Sequence, residues 1–85
     1  GLFMIRAQVS LYPVDQEGLE SLMGLPTQFL EEHGLDYDFR QSSTSLDTII
    51  TGSPDEVWRA LRHLFQENCR QGQDIVMVTT LTQYG

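Results

Sequence analysis

Two histidines, one cysteine and a scatter of strand-borne hydroxyls and carboxylates are the residues of this 85-residue chain that could do chemistry. His63 and Cys69 lie six residues apart on one helical stretch, about 240° around an axis that turns 100° per residue. They face apart and form no imidazole–thiolate pair. His33 and His63 fall on separate helical stretches without a third ligand at metal spacing; both read as residues of a helix surface or boundary. Cys69 reads as a thiol packed near the end of the second helix. Ser10 has no base, no orienting acid and no nucleophile elbow around it. The chain has no lysine, which removes Schiff-base chemistry. These observations point away from an enzyme, and away from a metal or a catalytic cofactor.

What remains is a group of polar and aromatic residues set on strands. Thr48 shares parity with Leu46 and Ile50, so it points to the apolar side of its strand, or is simply a good strand residue there. Asp47 faces the other way, where a mid-strand carboxylate wants a partner such as Arg6 or a bound cation. Tyr12 either caps the core with its ring or hydrogen-bonds a ligand at the end of the sheet. Trp58 either stacks on a flat cation or packs beside Val57 and Leu61.

Positioning these residues falls to a small set of elements. Phe3, Ile5, Ala7, Val9 and Leu11 alternate with Met4, Arg6, Gln8, Ser10 and Tyr12, a half-buried strand closed by Pro13. Asp15 is placed to cap a helix carrying Leu19, Leu22, Met23, Phe29, Leu30 and His33. Gly24 and Pro26 interrupt it, because proline lacks an N–H and clashes with the carbonyl four residues back, so a kink or two pieces are expected, ending at Gly34. Leu35, Tyr37 and Phe39 alternate with Asp36, Asp38 and Arg40 as a second strand. A turn at Gln41–Ser43 leads to a third strand, Thr44 to Thr51, antiparallel to the second. Ser53-Pro54-Asp55-Glu56 has the form of a capping box with proline at the first helical position. Val57, Leu61, Leu64 and Phe65 form the buried stripe of that helix, and Gly72 follows its end. The β-branched run Gln73 to Thr82 is the fourth strand.

The order βαββαβ predicts a single α+β domain over residues 1–85. Its form is a ferredoxin-like sandwich, a four-stranded antiparallel sheet with two helices on one face. A core this small gains from self-association, so a homodimer or larger assembly is expected. Twelve acidic residues against five arginines give a formal charge of −7, which repels nucleic acid and anionic lipid and favours a cationic small molecule. One cysteine and no apolar run approaching the roughly 20 residues of a membrane span fit a cytoplasmic protein. Within this fold, a copper chaperone would need Cys-x-x-Cys after the first strand, and an iron–sulfur protein four cysteines. An RNA-recognition module would need a basic field and aromatics where Gln8 and Ser10 stand. An acylphosphatase-type enzyme would need a glycine-rich anion loop where Val14-Asp15-Gln16-Glu17 is acidic.

Three stretches carry a resemblance: Ser10-Leu11-Tyr12-Pro13 at the end of the first strand, Thr48 to Ser53 at the end of the third, and Ile75-Val76-Met77 opening the fourth. In order, spacing and element pattern the chain resembles the YkoF-like family of thiamine- and hydroxymethylpyrimidine-binding proteins over nearly its full length. The resemblance implies non-catalytic binding of thiamine or its pyrimidine moiety, in vitamin uptake or intracellular handling, by a cytoplasmic homo-oligomer, a homodimer or homotetramer. Thiamine joins an aminopyrimidine to a cationic thiazolium, so a site needs polar contacts, a flat slot and negative charge. Thr48 and Ser10 would supply the contacts, Tyr12, Trp58 and Met77 the slot, and Asp47 the charge. Asp47 and Trp58 are chosen on chemistry alone, and strand parity sets Ser10 and Thr48 on opposite sheet faces. The competing readings are a regulatory module for another metabolite and a structural oligomerisation subunit that binds nothing small.

Overall fold

The computed structural model describes residues 3–85, leaving out the side chains of Gln16 and Glu17. Four strands, β1 (Met4–Pro13), β2 (Asp36–Gln41), β3 (Leu46–Gly52) and β4 (Ile75–Tyr84), form one sheet in the order β2-β3-β1-β4. All three pairings are antiparallel. Two α-helices, α1 (Thr27–Glu32) and α2 (Pro54–Arg70), complete the expected ferredoxin-like arrangement.

The period-two pattern of β1 translates directly into burial: Ile5, Ala7, Val9 and Leu11 are in the core, and Met4, Arg6, Gln8 and Tyr12 face outward. Phe3 lies just before the strand and is exposed rather than buried. Leu46, Thr48 and Ile50 continue the buried layer on β3, and Val57, Ala60, Leu61 and Leu64 of α2 close over it. The observed strand bounds differ slightly from expectation. Thr44 and Ser45 belong to the β2–β3 turn, where the Ser42 hydroxyl accepts from the main-chain N–H groups of both. That Ser42 turn satisfies backbone donors locally, so the β3 ladder starts only at Leu46.

Glycines end both helices as anticipated. Gly34 (φ 64°) and Gly72 (φ 80°) take the left-handed conformation, and Leu35 N–H reaches back to Leu30 O at 2.9 Å. The start of α2 departs from the capping-box reading. Ser53 holds the N-cap position and Pro54 follows, but the Ser53 side chain makes no cap hydrogen bond. Glu56 turns instead toward His33, with Oε2 lying 3.2 Å from Nδ1, and its other oxygen lies 3.7 Å from Arg59 Nη1.

The first helical region is where the sequence's break takes effect. It divides into a 3₁₀ turn over Gln16–Ser21, an extended stretch through Pro26, and the short α1. Pro26 is the N-cap of α1, with φ −61° and ψ 138°. Residues 22–26 therefore lack a helical ladder, and one side chain of α2 replaces it. Asn68, fully buried, accepts from Met23 N–H at 2.8 Å and donates through Nδ2 to Met23 O at 2.9 Å and Leu64 O at 2.8 Å. Asn68 takes the buried place expected of Phe65, which is 39% exposed. Cys69 is exposed too, not packed, because Asn68 occupies the inward position beside it.

The histidines serve the same junction. Phe29 of α1 stacks on His63 of α2 at 4.6 Å between ring centres and meets His33 edge-on at 4.3 Å. Both are boundary residues, as read from the sequence. Asn68→Ala strips Met23 of both partners and is expected to lower the free energy of unfolding by about 2 kcal/mol, read from urea denaturation. A change below half that value would show that water replaces the clamp.

Candidate functional site

The break in the first helical region leaves part of the sheet uncovered. Tyr37 and Phe39 stand on the helix side of β2, opposite Ile50 and Thr48 of β3. Their parity matches that of buried Leu35, yet they are 44% and 47% exposed, because no long helix lies over the β2 edge. Between them and the 22–27 segment runs a cleft of about 400 Å³, lined by Gly24, Leu25, Thr27, Leu30, Tyr37, Phe39 and Thr48.

Each wall has a physical origin. The aromatic wall comes from strand alternation, which puts two rings on the same face two residues apart. Gly24 allows the opposite wall to approach: a Cβ there would lie 2.7 Å from Phe39 Cε2. Thr48, 4% exposed, sits at the base between the buried side chains of Leu46 and Ile50. Its hydroxyl is the polar group set deepest in the lining, and Thr27 adds a second at the first turn of α1. An aromatic slot over a buried hydroxyl suits a flat ring bearing hydrogen-bonding edges.

The six residues singled out from the sequence do not converge. Thr48 alone lines this cleft. Ser10 and Asp47 are direct cross-strand neighbours on the open face of the sheet, the side away from the helices. There they border a shallow depression of about 320 Å³ with Gln8, Asp38, Arg40 and Ile49; Val9 and Thr48 also line it, although their parity sets their side chains on the helix side. Asp47 finds its partner locally, since Ser45 Oγ donates to Oδ1 at 3.0 Å; Arg40, its cross-strand neighbour, lies 3.7 Å from Asp38 instead. Arg6 is not its partner, since it pairs with Thr51, four residues or ~13 Å further along the strand. Tyr12 does not cap the core. It is 39% exposed on the open face opposite Val76, beside Pro13, Leu19 and the Ser43–Thr44 turn.

Trp58 and Met77 meet in a third place, the groove between α2 and β4. Trp58 is 54% exposed and is not core packing, since Val57 and Leu61 take the inward positions of that turn. Among the described residues no group of three His, Cys, Asp or Glu could hold a metal ion. No helix there is long and apolar enough to cross a membrane.

The cleft residues missing from the sequence reading are Gly24, Leu25, Thr27, Leu30, Tyr37 and Phe39. Their signals were present separately, as a Gly/Pro interruption and an aromatic alternation. That the interruption falls over the aromatics depends on how the two segments pack.

No protein-family model matches this chain, and no curated protein matches it. Among solved structures it is similar to CPII, a nitrogen regulatory PII-like protein from Thiomonas intermedia K12 bound to ADP, AMP and bicarbonate. The two share 16% identity and a TM-score of 0.47, over 100% of this chain and 92% of that one. The fold assignment stands on the strand order and pairing described above.

Gly24→Ala places a methyl group against the Phe39 ring at a backbone position outside the left-handed region. It is expected to turn the ring and narrow the cleft while leaving stability within about 1 kcal/mol. Phe39 ring-proton shifts and urea unfolding together check this; unchanged ring shifts would show that the ring does not pack on Gly24.

Proposed function

We propose that this chain binds thiamine or its hydroxymethylpyrimidine moiety, without transforming it, in the cleft over Thr48. The observation that carries the reading is the cleft itself: two aromatics on one face of β2, Tyr37 and Phe39, facing a wall formed by Gly24 and Leu25 above the nearly buried Thr48. An aminopyrimidine ring slides between these walls and exchanges hydrogen bonds with Thr48, Thr27 and the main chain of Gly24 and Leu25. The thiazolium end remains outside, where the −7 charge of the chain provides the attraction that a single carboxylate was expected to give. With five arginines and no lysine, the chain has little with which to meet a diphosphate. The role this fits is uptake or intracellular handling of the vitamin, in the cytoplasm.

In this reading Ser10 and Asp47 take no part, because they lie on the other side of the sheet from Thr48. Isothermal titration with thiamine, hydroxymethylpyrimidine and thiamine diphosphate is the direct test. Micromolar saturable binding of either of the first two is expected, weakened roughly tenfold by Thr48→Val through loss of one buried hydrogen bond. Ser10→Ala and Asp47→Asn are expected to leave it unchanged. Absence of heat with all three compounds would sink the ligand assignment. Loss of binding in Asp47→Asn but not Thr48→Val would move the site to the open face.

A further inference from the structure

The sheet order leaves β2 and β4 at its edges, and the two edges are built differently. β2 has six residues and carries Asp36, Asp38 and Arg40. β4 has ten, Ile75–Tyr84, with no charged residue and no proline. Strand edges meant to remain single are normally blunted by charge, proline, a bulge or shortness. β4 shows none of the first two and is long. Val76 and Val78 are each 51% exposed on its open face. On its helix face Met77 and Leu81 join Trp58 and Phe65 in an apolar groove of about 540 Å³. The single charged residue lining that groove is Arg62, whose stem lets its head reach water.

Charge narrows the choice of occupant. Two copies of a chain at −7 repel wherever acidic surfaces meet, and the β4 edge is free of acids. A second observation marks the middle of this strand: Thr79 Oγ1 is buried and has no hydrogen-bond partner among the described residues. Buried hydroxyls normally find one.

We propose that two copies of this chain join through antiparallel pairing of their β4 edges, centred on Thr79, into a continuous sheet of eight strands, four from each copy. A two-fold axis relating antiparallel edge strands stands perpendicular to the sheet and keeps both helix layers on one side. Each residue then faces one of the same parity. Centring on Thr79 sets it against its own copy, Met77 against Leu81 and Val78 against Thr80. The Thr79 hydroxyls become a cross-strand hydrogen-bonding pair, and the free N–H and C=O groups of each edge are satisfied by the other. The contact is isologous and closes at two copies. It is independent of which ligand the Thr48 cleft takes.

The test uses sedimentation velocity on the full chain together with disulfide trapping in a Cys69→Ser background. The wild-type chain is expected to sediment as a dimer in the micromolar range. Thr79→Cys is expected to form a cross-linked dimer on mild oxidation, because its copy lies directly opposite. Ile75→Cys is expected to form none, its copy lying eight residues or ~26 Å along the strand. Val78→Lys is expected to weaken the dimer at least roughly tenfold with an unchanged circular dichroism spectrum. A monomeric wild type overturns the proposal, as does a dimer in which Thr79→Cys does not cross-link or Ile75→Cys cross-links as well. Should Val78→Lys fail to fold, the two cysteine variants still decide.

Discussion

The structure depends most on how the chain between β1 and β2 is held once a helix is denied to it. Pro26 removes a donor and Gly24 removes a side chain, so residues 22–26 have no ladder of their own. Their main-chain groups still need partners. Asn68 meets this need from α2, since one carboxamide offers an acceptor to Met23 N–H and donors to Met23 O and Leu64 O. A buried amide with its hydrogen bonds made fixes position as well as energy. The clamp, together with the His33–Phe29–His63 stack, sets where α1 lies relative to α2.

That placement decides what covers the sheet. α2 spans the middle of the helix face and buries the centres of β1 and β3 beneath Val57, Ala60, Leu61 and Leu64. The short α1 covers little beyond Leu30 and Leu35. Two strips of apolar surface are left at the flanks, one over β2 with Tyr37 and Phe39, the other over β4 with Met77 and Leu81. The strips differ in character. The first has a threonine at its base and a glycine opposite its rings, which makes a slot sized for a small flat molecule. The second borders a long uncharged strand with unused main-chain groups, which makes a surface for another strand.

Much of the fold was legible in the sequence because its signals are local. Alternation in residues 4–12 and 35–40, Pro13 as a stop, Pro54 at the start of α2 and the glycines at 34 and 72 act through their own backbone, and each appears where expected. The errors came where a local signal met a nonlocal competitor. The Ser-x-x-Glu spacing pairs Glu56 with Ser53, yet Glu56 faces His33, a residue of another segment. Hydrophobicity alone turns Phe65 inward and packs Cys69, yet the inward position at that end of α2 belongs to Asn68. A polar residue there reads as surface until its partner at Met23, 45 residues away in sequence, is known.

The candidate site divides along the same line. Parity alone placed Thr48 on the helix side and Ser10 and Asp47 on the open side, because side chains on a strand alternate whatever surrounds them. The sequence thus determined the sheet, the sides its residues face and the existence of a break at Gly24–Pro26. Only the tertiary structure decided that the break lies over Tyr37 and Phe39, and that Trp58 stands beside Met77 instead of in the core. Those juxtapositions join segments far apart in the chain, and they are set by which buried groups must satisfy one another, not by any pattern within a single segment.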